Sequence, residues 1–285
     1  MLEAFKRSAS RIQSIPLLNF LIRAPNCATS LDDRTGFLRC QRLAQESVTE
    51  ISKLIRDGWS EVQTADMIET YLRDSGVRTF FHKPYAWFGE RTRFDGIKGY
   101  QDFMPRKDRV LLPHEPFLLD VAPIYKGYIA DIGFSDCLTP HPDFEKARHF
   151  LLELRAELPK IFSEIRVGHE IYRVIERRIE EAGFENRHRF YPFGVLGHRI
   201  YRVNEALLEL NLLNFGWQSF WSLLSRGLYG QLLTQDSEGD LTGLWAIEPH
   251  IGGKDFGAKF EEILMVENGS VKWLEEKECI SHRPL

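Results

Sequence analysis

The chain has 285 residues and a formal net charge of −4, and hydrophobic residues make up 43% of it. This length supports one large domain or two small ones with a substantial core. The nearly balanced charge argues against a nucleic-acid-binding platform and against a basic membrane-binding patch. The four cysteines are scattered without a CxxC pair, which excludes a cysteine-built zinc site and favours a reducing compartment.

Residues 1–31 predict an irregular or partly helical arm, because Pro16 and Pro25 interrupt it. Nothing in this arm indicates chemistry. Its longest apolar run, residues 15–22, is too short to span a bilayer and lacks the layout of a signal peptide. We therefore expect a cytoplasmic protein without a membrane segment, in which residues 32–285 form the main domain.

Apolar residues recurring at steps of three and four predict two helices between residues 32 and 76. Ser60 is the expected N-cap of the second helix, with Gln63 completing a capping box. Two more amphipathic helices are predicted over residues 144–162 and 170–182, and strands are predicted between and after these helix pairs. The order of elements indicates a mixed α/β fold.

The stretch 117–135, FLLDVAPIYKGYIADIGFS, consists of two apolar runs that each carry one aspartate. Pro123 and Gly127 between the runs favour a hairpin. If the loop is centred between Tyr125 and Lys126, Asp120 lies directly opposite Asp131 with Cβ atoms about 5 Å apart. A three-residue turn using Gly127 would shift this register by one residue.

Two carboxylates inside apolar strands would repel each other and resist burial. A hard divalent cation between Asp120 and Asp131 would remove that problem, and carboxylates are the ligands that bridge paired metals. The alternative is that both aspartates are exposed and only solvate one face of the hairpin.

Further polar residues interrupt apolar segments later in the chain. Gly194 and Gly197 precede His198, where they would permit a tight bend or a close backbone approach. Glu248 lies in one predicted strand of the last third, and Glu261 and Glu262 lie in the next. Carboxylates buried there would need a partner.

The segment 205–233 is strongly apolar and separates His198 from Glu248. We expect it to cover the mouth of a site formed by these residues. The alternatives are that it is buried as core or forms a homodimer contact. A membrane-surface helix is disfavoured, because Arg226 is its one basic residue.

The ordered set of candidate ligands resembles that of the pita-bread metallopeptidases, which include methionine aminopeptidases, proline dipeptidases, aminopeptidases P and creatinases. The resemblance covers roughly residues 32–275 and rests on local motifs of matching kind and order. These are the strand residue Asp120, GYxxD at 127–131, Gly197-His198, Glu248-Pro249, and GxKxEE at 257–262, where the family has arginine at the position of Lys259.

The resemblance implies an α/β pita-bread fold, with a curved antiparallel sheet, helices outside and a dinuclear metal site in the concave face. Asp120 would chelate one divalent ion, Asp131 and Glu261 would bridge two, and His198 would complete the second. Glu248 would bind metal and take the proton of the attacking water. The ions would be manganese, cobalt, iron or zinc, among which such ligands do not choose.

This chain departs from the family at the residues that handle the peptide. The stretch 89–94 lacks the family's first substrate histidine, residues 203–210 lack the second, and Arg199 replaces a small residue. His82 or His250 could take over these roles in space, although a lone histidine at position 82 is more often structural. We therefore expect a hydrolase with altered specificity towards a peptide or small-molecule substrate.

Two other functions remain open from the sequence. The same fold could act on a non-peptide substrate, by hydrolysis or by oxygen chemistry at iron. It could also serve as a non-catalytic binding module, although that outcome usually accompanies a loss of ligands, and all five ligand positions are present here.

Overall fold

The computed structural model describes residues 31–203, 211–212, 214–216, 231–238, 240–267 and 269–276. The predicted arm therefore lies almost wholly outside the described residues, as does most of the apolar segment 205–233. None of the described helices is long and apolar enough to cross a membrane.

The predicted helices are confirmed, with ends that differ by a few residues from those expected. The Ser60 side chain accepts a hydrogen bond from the Gln63 amide, as the N-cap prediction requires. The α-helices are α1 Leu31–Leu54, α2 Glu61–Asp74, α3 Pro142–Glu164 and α4 Gly168–Glu181. Short 3-10 helices span Gly89–Arg93, Tyr100–Phe103, His188–Phe190 and Pro192–Gly194.

The described strands form three antiparallel sheets. The strands are β1 Thr79–Phe88, β2 Pro116–Tyr125, β3 Tyr128–Ile129, β4 Ile132–Cys137, β5 Glu185–Asn186, β6 Gly197–Ile200, β7 Asn211–Leu212, β8 Phe215–Gly216, β9 Leu232–Leu233, β10 Gly243–Ile247, β11 His250–Gly252, β12 Gly257–Lys259, β13 Glu262–Glu267 and β14 Ser270–Trp273. Their orders are β3-β2-β1-β8-β7 with β4 also on β2, β14-β13-β10-β6-β9, and β12-β11-β5.

The central hairpin forms, but its predicted register is wrong. The turn is Lys126–Gly127, whose φ angles of 52° and 82° are both positive, as in the type I′ turns that match the twist of a hairpin. Asp120 consequently pairs with Gly133 and not with Asp131. A shift of two residues keeps both aspartates on one side of the hairpin, because strand side chains alternate with period two.

The sequence also predicts a short strand from Arg109 to Leu112 that leads into the central hairpin, but in the structure this segment forms only an isolated bridge between Ser60 and Val110. The backbone of Leu111 instead exchanges hydrogen bonds with the loop before α2, donating to the Trp59 carbonyl at 2.9 Å. This segment does not extend as a strand because its partner is a loop.

Two main clusters of buried apolar side chains lie between helices and sheets. One contains Val48 of α1, Ile68 of α2 and Phe80 of β1. The other contains Leu151 of α3 and Trp245 of β10. The helices thus each bury one apolar face against a sheet, as their period of three to four residues predicted.

The first half of the described chain, which contains β1 to β4, meets the second half, which contains β5 to β14, along a short seam of hydrogen bonds. Gly133 and Glu261 exchange two backbone hydrogen bonds, with N–O distances of 3.3 and 3.1 Å. Ser135 Oγ donates to the Lys259 carbonyl at 2.8 Å and accepts from the Lys259 amide at 2.9 Å. The seam brings β4 of the first half beside the β12–β13 segment of the second.

A buried ion pair fixes the start of β13. Arg155 of α3 donates to both carboxylate oxygens of Glu262, at 2.8 and 2.6 Å. The Glu262 side chain is 0% exposed and that of Arg155 only 8%. Because a two-pronged guanidinium contact is geometrically specific, it sets the position of the neighbouring residue Glu261.

His188 is fully buried, with its ring centroid 5.1 Å from that of Tyr172. Burial lowers the pKa of His188 from the ordinary 6.5 to about 3. Between these two pH values the unfolded chain binds a proton at this histidine that the folded chain does not. Unfolding therefore takes up a proton, and stability falls as the pH drops through this window.

Below pH 6.5, His188 should make the free energy of unfolding of the wild type fall by about 1.4 kcal/mol for each pH unit. We predict that the His188→Phe variant lacks this contribution, so that its stability falls less steeply with pH. Phenylalanine keeps a ring beside Tyr172 but cannot titrate. Urea unfolding at pH 7.5, 6.0 and 5.0 measures the change. His149→Phe is the control, because the His149 side chain is 76% exposed; an equal loss of slope in both variants would contradict the assignment.

Candidate metal centre

The five predicted ligands converge on one buried cluster. Asp120 lies in β2 and His198 in β6, while Asp131 precedes β4, Glu248 follows β10 and Glu261 precedes β13. Their exposed fractions lie between 2% and 8%. Residues separated by up to 141 positions thus share one interior, and the alternative of two solvent-exposed aspartates is wrong.

Gly197 is needed for His198 to reach this cluster. A Cβ atom on Gly197 would overlap the carbonyl oxygen of Ala246 on the neighbouring strand β10. The close backbone approach expected from the glycine before His198 is therefore confirmed.

Two groups of side chains in the cluster could each hold a metal ion. One consists of His82, Asp120 and Asp131, and the other of Asp131, His198 and Glu261. In each group one ligand atom per residue lies within 4.8 Å of the others. Asp131 belongs to both groups, which is the arrangement that a bridging carboxylate requires.

His82 and His198 approach Asp131 from two sides. The His82 Nε2 atom lies 3.2 Å from Asp131 Oδ1, and the His198 Nε2 atom lies 3.1 Å from Asp131 Oδ2. His82 was expected to handle substrate. The structure places it among the carboxylates, 3.4 Å from Asp120 Oδ1.

The Lys259 ammonium group is the contact that the sequence prediction missed. Its Nζ donates to Asp120 Oδ2 at 2.6 Å, to Glu261 Oε2 at 2.8 Å and to Glu248 Oε2 at 2.9 Å. Two-residue alternation from Glu261 back to Lys259 was the available signal, since it places both side chains on one face.

Gly133 provides the space for the lysine side chain. A Cβ atom at Gly133 would overlap the Cε atom of Lys259. The glycine of the second apolar run, which carried no functional prediction, is therefore part of the construction of the site.

His250 occupies a different environment. It is fully buried in β11, with its ring centroid 4.9 Å from that of Phe94 and 5.6 Å from that of Tyr191. Within the described residues, its ring nitrogens make no hydrogen bond to the five predicted ligands. Burial, and then the positive charge of Lys259, lower the pKa of His250 well below its ordinary value.

The charges of the cluster shift its titration strongly. Burial, reinforced by the Glu261 carboxylate, raises the pKa of Glu248 to about 8. Burial disfavours the charged forms of His82 and Asp131, but their mutual attraction outweighs it. That attraction raises the pKa of His82 to about 9 and lowers that of Asp131. The positive charge of His82 and the negative charge of Asp131 therefore stabilise each other.

The donor set fits divalent metal ions. Asp120 Oδ1 is buried and accepts no hydrogen bond among the described residues, and His82 Nε2 lies 3.4 Å from it, so this oxygen is available to coordinate a cation. Carboxylate oxygens and imidazole nitrogens are ligands for manganese, cobalt, iron and zinc alike. The two groups around Asp131 could therefore hold such ions.

Arg199, which stands in place of a small residue after the ligand histidine, points away from the cluster. Its guanidinium lies 4.4 Å from the Trp245 ring centroid and donates to the Thr242 carbonyl at 2.6 Å. Adjacent strand residues face opposite sides of a sheet, so the bulk of Arg199 does not enter the site.

The apolar segment 205–233 reaches the cluster through its described part. Phe215 of β8 pairs with His82 of β1, and the two ring centroids are 5.6 Å apart. Trp217 and Trp221 of this segment lie outside the described residues. The prediction that the whole segment covers the mouth of the site is therefore untested.

Comparisons with known proteins place this geometry in context. The family model described as metallopeptidase family M24 matches residues 36–268. No curated protein sequence matches the chain.

Solved structures of Xaa-Pro peptidases resemble the fold at low identity. The X-Pro aminopeptidase of Thermotoga maritima has a TM-score of 0.67 at 17% identity, over 98% of this chain and 72% of that protein. The prolidase of Thermococcus sibiricus has a TM-score of 0.65 at 13% identity, over 98% of this chain and 68% of that protein.

The Xaa-Pro dipeptidase of Bacillus anthracis gives a TM-score of 0.63 at 19% identity, over 88% of this chain and 62% of that protein. The chain thus spans less than two thirds of the length of the Bacillus enzyme. At these identities the structural matches establish the pita-bread fold, and the family model establishes the relationship. The chain belongs to metallopeptidase family M24.

Proposed function

We propose that this protein is a metal-dependent hydrolase that cleaves an amide bond with water, using two divalent ions held around Asp131. The observation that carries the proposal is the pair of ligand groups that share Asp131, one with His82 and Asp120 and one with His198 and Glu261. Family membership supports hydrolytic metal chemistry, and the similar solved structures are Xaa-Pro peptidases.

Divalent ions in such a centre supply Lewis acidity, which lowers the pKa of water and polarises a carbonyl group. The protein contributes the position of the ligands. Burial of the carboxylates excludes bulk water, and in such a low-dielectric site charges act more strongly than in water.

Glu248 is the proposed general base. This residue is 7% exposed, and its carboxylate lies in the same buried cluster as the candidate ligands, where it could accept a proton from the attacking water and release it to the leaving amine. Lys259 donates to Glu248 Oε2 at 2.9 Å and so orients the carboxylate. Lys259 is therefore a positioning residue for the base.

The proposed substrate is a peptide or another amide that is bound differently from the substrates of the relatives. The two histidines that handle the peptide in the family are absent from their usual sequence positions. His250 faces aromatic rings and His82 faces carboxylates, so neither supplies a simple replacement.

We predict two equivalents of divalent metal per chain, and loss of at least one in the Asp131→Ala and Glu261→Ala variants. Each change removes a carboxylate that belongs to one or both of the candidate ligand groups. Elemental analysis after reconstitution and desalting measures the content. Asp143→Ala is the matched control, because the Asp143 side chain is 68% exposed. Full metal retention in both site variants would refute the metal assignment.

We expect Glu248→Gln to reduce turnover by about a hundred- to ten-thousand-fold, the usual contribution of general base catalysis. Glutamine keeps the shape and one oxygen ligand but cannot accept the proton. A peptide-library assay first identifies a cleaved substrate, and kcat is then compared in metal excess. A variant with wild-type kcat would exclude Glu248 as the base.

Met-peptides and Xaa-Pro dipeptides should be poor substrates, because the usual peptide-handling histidines are absent. Hydrolysis is measured with protein loaded separately with manganese, cobalt, iron and zinc, beside the library substrate. Rapid turnover of either class would contradict the altered specificity.

A further inference from the structure

We propose that His82 is a metal ligand of this chain and completes the first ion's site together with Asp120 and Asp131. This inference rests on the proposed metal centre and changes its ligand set. The resemblance to the family assigned the first ion to carboxylates alone. The geometry adds an imidazole nitrogen at that ion.

The orientation of the His82 ring is the first argument. Its Nδ1 atom lies 2.9 Å from the Lys83 carbonyl oxygen, which can only accept a hydrogen bond. Nδ1 therefore carries a proton, and Nε2 faces Asp120 and Asp131, where a metal ion could take the place of the Nε2 proton. A hydrogen bond from the far nitrogen to a backbone carbonyl is the usual support of a metal-binding histidine.

His198 has the same arrangement on the other side of Asp131. Its Nδ1 atom lies 3.3 Å from the carbonyl oxygen of Arg199, the next residue, and its Nε2 atom lies 3.1 Å from Asp131 Oδ2. The two histidines match in the backbone carbonyl that faces Nδ1 and in the approach of Nε2 to Asp131. His198 is a predicted ligand, and His82 shows the same geometry.

Lys259 explains why the first site needs a nitrogen ligand. Its ammonium group engages Asp120 Oδ2, Glu248 Oε2 and Glu261 Oε2. For the first ion, the carboxylate oxygens that Lys259 does not contact are Asp120 Oδ1 and Asp131 Oδ1. Asp120 Oδ1 has no hydrogen-bond donor among the described residues. Two oxygens are fewer than the three protein ligands typical of catalytic metal sites. His82 Nε2, 3.4 Å from Asp120 Oδ1 and 3.2 Å from Asp131 Oδ1, is the third.

The decisive experiment is a cobalt titration of the metal-free protein, followed by visible absorption. Wild type should bind two ions. His82→Phe should bind one as before and lose the other or bind it at least about tenfold more weakly, since even supporting residues of metal sites are worth that much. His198→Phe should impair the other ion. His188→Phe is the matched control, because His188 is equally enclosed but lies beside Tyr172.

The outcomes separate the two proposals. A wild-type protein that binds no cobalt refutes the metal centre itself. A wild type that binds two ions, with His82→Phe binding both at unchanged affinity, refutes the role of His82 alone.

Proton NMR of the cobalt-loaded wild type provides a test that does not depend on the folding of a variant. A coordinated histidine gives a strongly shifted Nδ1–H signal that disappears in D2O. Two such signals are expected, from His82 and His198. A single signal would overturn the proposal.

Discussion

Four buried carboxylates, those of Asp120, Asp131, Glu248 and Glu261, are crowded into one interior. Like charges in a low dielectric repel strongly, so this crowding persists only with positive partners among them. His82, His198 and Lys259 lie at hydrogen-bonding or ion-pairing distance from these oxygens. The strands that carry the carboxylates can meet only because these groups, or the ions they could admit, balance the charge.

The backbone that permits this meeting is as specific as the side chains. Gly133 leaves room for the lysine, and Gly197 lets β6 approach β10 closely. Glu261 is held by backbone hydrogen bonds to Gly133, and its neighbour Glu262 is held by the Arg155 guanidinium. The ligand atoms are thus placed by rigid elements, which is what a functional site requires for its geometry.

Much of the molecule could be read from local pattern. Helical periodicity predicted α1 to α4, and the cap at Ser60 was identified from two residues. Each of the five ligand candidates interrupts an apolar segment, and the resemblance to the pita-bread family selected Glu261 over its neighbour Glu262. The register of the central hairpin was mispredicted because the position of its turn depends on positive φ angles at Lys126 and Gly127. A positive φ angle at a lysine cannot be predicted from the residue type.

The sequence by itself determined the order of elements, the membership of the acidic cluster and the absence of histidines from two expected positions. The tertiary structure decided which nitrogen atoms enter the cluster. Lys259 lies 139 positions from Asp120, and His82 lies 49 positions from Asp131. Lys259 reaches Asp120 only because the sheets pack across the seam, and His82 reaches Asp131 through the pairing of strands within the first sheet. Neither contact can be read from local sequence, because a charged group is buried only where the fold supplies its counter-charge.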